Sequence, residues 1–269
     1  MTMSRRAFML DLGKGTLAVA VFGLGVVACS EDDPVSPTST PSTSPESTAP
    51  PTTTPATTSP QTTNPVTTNP LAVEAVQWER VNLGFVSAYV LARNGEAAIV
   101  DTGVSGSEGD IASSLAAVGL GWGDVGHVIV THLHPDHQGS LPAVMNAAGG
   151  ATAYAGAGDI PEISSPRPIT PVGDGDMVFD LEIIDTPGHT PGHISVLDPA
   201  GGLLVAGDAL NGADGGVIGA NPEFTADIVM ADQSVQKLAT FTFETVVFGH
   251  GEPVVGLASQ QVAGLAASI

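Results

Sequence analysis

Four metal-competent side chains fall within six positions in Thr131-His132-Leu133-His134-Pro135-Asp136-His137. Imidazole suits zinc and iron, and a carboxylate adds a harder oxygen ligand. One H-x-H pair alone carries little. H-x-H-x-D-H at the end of a strand is a pattern for two adjacent divalent ions. The bland alternative is four polar side chains exposed together on a loop. Three further candidates follow predicted strands: the run Asp185-Thr186-Pro187-Gly188-His189-Thr190-Pro191-Gly192-His193, the pair Gly207-Asp208, and Phe248-Gly249-His250-Gly251. Singly, Gly-Asp is an ordinary turn and a lone His is more often structural. Together they sit at the same end of successive strands, where loops can converge. Glycine beside each lets backbone approach closely. His127, which precedes the motif strand, reads as structural or exposed.

Two metals ~3.5–4 Å apart can share a bridging hydroxide, and bound water near pKa ~7 gives a nucleophile at neutral pH. The chemistry expected is hydroxide attack on a carbonyl. No cysteine nucleophile is needed: the one cysteine, Cys29, lies far from the motifs.

The elements that must position these residues are legible in outline. Strands are expected at 76–81, 86–92, 96–100, 127–130, 151–155, 177–179, 181–185, 193–197, 203–206 and 245–248. Helices are expected at 108–118, 141–148, 233–240 and 257–267, with Asn94-Gly95 a hairpin signal. Strands in two groups, each followed by helices, predict two sheets packed face to face with helices outside. Segments 156–176 and 211–232, rich in Gly, Pro and Asp, are the expected substrate-facing loops.

Composition divides the chain into an export signal (1–29), a Pro/Ser/Thr-rich linker (30–70) and a domain (71–269). Arg5 and Arg6 precede a short apolar stretch at 17–28, below the ~20 residues that span a bilayer. Ser4-Arg5-Arg6-Ala7-Phe8 resembles a twin-arginine signal, and Val26-Val27-Ala28-Cys29 resembles a lipobox that lipidates Cys29. An uncleaved anchor with an incidental cysteine is the alternative. Either way the domain is expected outside the cytoplasmic membrane, tethered to the cell envelope by a lipid. The linker lacks apolar periodicity and is expected to be disordered and extended. With 28 acids against 7 basic residues and a net charge of −21, the chain cannot track a phosphate backbone, so no nucleic-acid partner is expected.

H-x-H-x-D-H, then T-P-G-H-T, G-D and G-H-G, resembles the metallo-β-lactamase superfamily, over roughly 76–255 and in the family's order. Val100-Asp101-Thr102-Gly103 matches its first motif. The resemblance implies an α+β fold, a four-layer αββα sandwich with a binuclear site along one edge. By position, His132, His134 and His189 match the ligands of the first metal; Asp136, His137 and His250 match those of the second. Asp208 matches the bridging carboxylate, and Asp101 a buried aspartate that positions the ligand loop. Asp136 is the expected catalytic residue, orienting the hydroxide, and His193 is expected to help shape the site edge. Two divalent ions are implied, zinc first, with iron or manganese also compatible with these ligands. Asp208 and the run 186–194 look more like the glyoxalase II and lactonase branch than like zinc β-lactamases. A glyoxalase II adds a basic C-terminal domain, whereas here nineteen residues follow His250 and none is basic. The expected substrate is a small ester, lactone or thioester. A β-lactam hydrolase and a non-catalytic metal-binding envelope lipoprotein are the alternatives.

Overall fold

The computed structural model describes residues 73–269; the export signal, Cys29 and the linker lie outside the described residues. Strands β1 (Gln77–Asn82), β2 (Ser87–Arg93) and β3 (Glu96–Val100) form an antiparallel meander. The β2–β3 turn is Asn94-Gly95, with φ of 53° and 81°, the left-handed pair that a two-residue hairpin requires. The chain then crosses through α1 (Glu108–Ala117) to β4 (Val125–Val130). It continues through α2 (Pro135–Gln138) and α3 (Leu141–Ala147) to β5 (Thr152–Gly156), and on to β6 (Ile169–Val172). Strands β3 to β6 pair in parallel, in the order β1-β2-β3-β4-β5-β6. Residues following β3 and β4 therefore emerge at one edge.

The second sheet contains β7 (Met177–Val178), β8 (Leu181–Asp185), β9 (Ile194–Asp198) and β10 (Leu203–Val205). A separate hairpin follows, β11 (Leu210–Ala213) with β12 (Gly216–Gly219). Helix α4 (Ile228–Leu238), β13 (Thr245–Val247), β14 (Val254–Val255) and α5 (Ala258–Ala266) complete the chain. The sheet order is β14-β13-β10-β9-β8-β7. Because β10 is parallel to β13 and antiparallel to β9, which is antiparallel to β8, strands β8, β10 and β13 all run the same way. Their C-terminal loops also leave from one edge.

Strand periodicity of two sorts the apolar residues into three cores. In β3, Ala98 and Val100 face the other sheet, meeting Leu181, Ile183, Val196 and Val205. Ala97 and Ile99 face outward onto Ile111 and Leu115 of α1 and Val144 of α3. The outer face of the second sheet, Leu204, Val246 and Phe248, packs on Val235 of α4 and Val262 of α5. The result is the αββα sandwich. A buried ion pair fastens the two sheets: Arg93 donates to Asp198 at 2.9 Å, and Asp198 also accepts the Val76 amide at 3.0 Å.

The expected elements form, with four additions, the short helix α2 within the expected ligand loop among them, and one shift. Strand β6 arises inside 156–176, expected as loop; it is an edge strand, where Pro171 costs no ladder bond. The β11–β12 hairpin turns at Asp214-Gly215, both at positive φ, so the D-G signal was present in a segment expected to be loop. Short β14 was not expected. Helix α4 begins at Ile228 rather than 233, because the Asp227 carboxylate accepts the Met230 amide at 3.0 Å and caps it. Ile228, Val229 and Met230 in its first turn are exposed, which breaks the apolar period there.

Candidate metal centre

The edge where β3 and β4 end is organised by Asp101. Its backbone holds φ 61°, a region that Asp tolerates better than most residues. From there one carboxylate oxygen accepts the Thr131 amide at 2.7 Å. The other accepts the Thr131 hydroxyl and the His137 Nδ1–H, both at 2.8 Å. Thr102 binds the His137 carbonyl through its amide, at 2.7 Å, and its hydroxyl, at 3.0 Å, and so pins the short helix α2. Since the Thr131 hydroxyl donates to Asp101, it accepts from His132 Nδ1 at 3.0 Å. Both imidazoles are thereby turned with Nε2 toward the centre.

The loops of the second sheet complete the site. His189 Nδ1 donates to the Thr225 hydroxyl at 3.2 Å, and the Thr225 hydroxyl donates to the Asn221 carbonyl at 2.7 Å. His250 Nδ1 donates to the Phe85 carbonyl at 2.6 Å. Asp208 follows Gly207, whose φ is 57°. The Asp208 amide donates to His193 Nε2 at 3.0 Å, so His193 carries its proton on Nδ1 and donates it to Thr186 Oγ1 at 2.8 Å. The Thr186 hydroxyl then meets Ser195 Oγ at 3.0 Å, which donates to the Ala206 carbonyl. His193 is buried and supports the loop that carries Asp208.

All seven residues expected as ligands converge. His132 Nε2 and His189 Nε2 lie 3.1 and 2.9 Å from His134 Nδ1. Asp136 Oδ2 lies 3.4 Å from His250 Nε2 and 4.0 Å from His137 Nε2. Asp208 faces both groups, with Oδ1 3.4 Å from His137 Nε2 and Oδ2 3.4 and 3.2 Å from the Nε2 atoms of His189 and His250. Three overlapping triads each bring donor atoms within 4.8 Å of one another: His132/His134/His189, His132/His137/Asp208 and Asp136/His137/His250. His137 Nε2 and Asp208 Oδ1 are buried without a hydrogen-bond partner. A buried orphan lone pair is costly unless it has a ligand to bind, and the two orphans face each other across the centre. The donor set fits a pair of divalent ions. Gly249 forms the floor: a Cβ there would collide with Asp208 Oδ1 and the His137 ring.

The electrostatics divide the site. Burial, reinforced by the neighbouring imidazoles, holds His132 well below its ordinary pKa. Burial likewise takes His189 down to about 4 and His193 to about 3. These rings are neutral at physiological pH and keep their lone pairs. Hydrogen bonds to Asp136 and Asp208 push His250 up to about 10. For His137, burial works downward, but the Asp208 and Asp101 carboxylates outweigh it and raise the pKa. Burial would raise Asp208, yet the His137, His250 and His189 rings hold it far below the carboxylate range.

Three contributors had no signal in the sequence. Phe85 supplies the carbonyl that orients His250 and a ring stacked near it, 6.2 Å between centroids. Thr225 orients His189. Asp159, fully buried, ties two ligand loops together. It accepts the Leu133 amide at 3.0 Å, the Thr190 hydroxyl at 2.5 Å and the Gly192 amide at 2.6 Å. The segment 156–176 is thus a support packed beneath the metal loops and takes no part in lining the cavity, contrary to its expected substrate-facing role. The segment 211–232 divides in role. Residues between Asn211 and Phe224 line the cavity, residues 225–227 brace His189, and α4 follows. The cavity, about 970 Å³, opens over His134, Asp136, His189, Asp208 and His250 and is walled by Phe85, Ile218, Pro222 and Phe224. His127 packs between Tyr154 and Phe179 at the start of β4, the structural role expected of it.

Sandwich, ligand loops and donor set define a class, and comparison with known proteins agrees. The metallo-beta-lactamase superfamily profile matches residues 81–250, and the chain belongs to that superfamily. YobT of Bacillus subtilis is 27% identical over 197 residues, 62% of this chain and 83% of that protein. A hydroxyacylglutathione hydrolase of Rhodospirillum rubrum is 34% identical over 140 residues, 50% of this chain and 51% of the relative, so the match spans about half of that protein's length. The crystal structure of TTHA1623 in a di-iron-bound form is 24% identical with a TM-score of 0.54, covering 68% of this chain and 92% of the other. Fold and His/Asp cluster together are those of a metal-dependent hydrolase, and the cluster is consistent with a binuclear site.

Proposed function

We propose that the chain hydrolyses an ester, lactone or thioester of a small molecule with two divalent ions. His132, His134 and His189 would hold one ion, Asp136, His137 and His250 the other, with Asp208 between them. When bound, the ions supply Lewis-acid polarisation of a carbonyl and a nucleophile from water near neutral pH. The chain's own residues do the rest. Asp136, only partly buried at the cavity edge, is placed to orient the attacking oxygen. Asp101, His193 and Asp159 hold the loops in place, and the apolar wall surrounds the opening above the cluster. The observation that carries this reading is the Asp208 carboxylate: buried, facing both groups of imidazoles, with Oδ1 unpartnered.

The test is Asp208→Ala. Metal content is expected to fall from two ions to one, and ester hydrolysis by about 100-fold or more, the loss of a direct ligand exceeding that of an outer partner. Two bound ions and undiminished turnover in that variant would break the assignment.

We propose in addition that the domain works outside the cytoplasmic membrane, anchored through Cys29. Arg5-Arg6 before a short apolar stretch and the Val26-Val27-Ala28-Cys29 run support this. Cys29→Ala is expected to move the protein from the membrane fraction to the soluble fraction; unchanged membrane association counts against the anchor.

A further inference from the structure

The cavity above the metal cluster is 970 Å³, near the top of the roughly 300–1,000 Å³ range of small-molecule sites. Its outer wall consists of Phe85, Ile218, Ala220, Pro222 and Phe224. Phe85 is 64%, Ile218 48% and Phe224 62% exposed, so three large apolar side chains stand in solvent around one opening. Apolar surface gathered over a functional centre marks a binding surface.

The wall offers no Lys or Arg side chain, and the His250 ring at its floor is turned to the Asp136 and Asp208 carboxylates. The described residues contain four basic side chains, Arg80, Arg93, Arg167 and Lys237, and all four are committed elsewhere. Arg80 binds Glu252 at 2.7 Å, the Gly251 carbonyl and Ser87. Arg93 binds Asp198, and Arg167 binds the carbonyls of Ala148, Gly149 and Ala151. Lys237 is held by Asp174 and by the Asp185 carbonyl at 2.7 Å. The chain as a whole carries −21, which repels anions before they reach the opening.

We infer that the substrate is a neutral ester, lactone or thioester with an apolar acyl or alkyl group, which lies against Phe85, Ile218 and Phe224. Anionic thioesters such as those of glutathione are excluded by the same wall. This rests on the hydrolase reading above. In the reaction the acyl carbon–heteroatom bond breaks and a carbon–oxygen bond to water forms. The leaving heteroatom takes a proton from that water.

Two experiments on the metal-loaded full chain test it. The first measures kcat/KM for p-nitrophenyl acetate, butyrate, hexanoate and octanoate, and for S-lactoylglutathione. We expect a rise of about fourfold per methylene until the wall is covered. S-lactoylglutathione should lie at least about 100-fold below the best ester, since no Lys or Arg at the opening repays the desolvation of its carboxylates. Phe224→Ala should lower the octanoate-to-acetate ratio about tenfold. Val255→Ala, at an exposed apolar residue that does not line the cavity, should leave that ratio unchanged.

The second experiment needs no turnover. The neutral fluorophore N-phenyl-1-naphthylamine should bind, about tenfold more weakly to Phe224→Ala, while its sulfonated analogue should bind poorly. Ester hydrolysis with a flat chain-length series and probe binding indifferent to Phe224 would overturn the inference and leave the hydrolase reading standing. No hydrolysis of any ester, with probe binding that does depend on Phe224, would overturn the hydrolase reading and support the apolar site. Efficient turnover of the glutathione thioester would also overturn the inference.

Discussion

Asp159→Asn isolates what a buried charge does beneath the ligand loops. Three donors converge on the two oxygens of Asp159: the Gly192 amide at 2.6 Å, the Leu133 amide at 3.0 Å and the Thr190 hydroxyl at 2.5 Å. Asparagine keeps the shape and leaves one acceptor oxygen. The Thr190 hydroxyl can reverse and accept, but an amide N–H cannot. The new NH₂ group must therefore face either Gly192 or Leu133. One bond to a charged acceptor is lost and one buried N–H is stranded, a combined cost of about 2–4 kcal/mol. Leu133 lies between His132 and His134, and Thr190 and Gly192 flank the loop of His189. The cost thus falls on the triad of these three histidines, with a loss of about 10–100-fold in affinity for the ion they hold. Competition against a chromophoric chelator measures that affinity, and urea denaturation of chelator-treated protein measures the stability. Two ions held with undiminished affinity, together with an unmoved denaturation midpoint, would show that Asp159 carries no such burden.

Asp101→Asn should weaken both ions by about 10–100-fold, because Asp101 orients His137 directly and His132 through the Thr131 hydroxyl. The same chelator competition reads both, and two ions held with undiminished affinity would contradict that role. In protein stripped of metal, stability should peak near pH 6.5. His250, at about 10 in the fold, gives stabilisation that is complete below pH 6.5 and lost as pH rises toward 10. His189 and His193, at about 4 and 3, cost stability as pH falls below 6.5, because the unfolded chain takes up protons that the fold refuses. Denaturation midpoints at pH 5, 6.5 and 9.5 check both limbs, and a midpoint still rising at pH 9.5 would contradict the alkaline one. Asp198→Ala should cost about 3 kcal/mol by removing the buried partner of Arg93 and leaving it the exposed Asp180 carboxylate at 3.6 Å. It should change turnover little, as read by chemical denaturation and ester assay in parallel.

The clustered histidines and aspartates and the sandwich were legible because their signals are local. Metal-competent side chains repeat at strand ends with glycines beside them, and most of the expected strands are short apolar runs closed by a turn. The supports were hidden because they act over long sequence distances. Phe85 reaches His250 through a backbone carbonyl, which any residue type could supply. Asp159 sits in a Gly-, Pro- and Ser-rich stretch whose composition suits a cavity wall and a buried brace equally well. Only the packing of β6 along the sheet edge distinguishes the two. The late start expected for α4 has a similar origin: Ile228, Val229 and Met230 form a helical turn on no apolar stripe, and its capping aspartate resembles any loop aspartate.

Gly249 has a consequence for inheritance. Every amino acid but glycine brings a Cβ, and at this place that atom would strike Asp208 and His137. Each missense change in that codon therefore has to displace Asp208 or His137, and so reaches the His/Asp cluster directly.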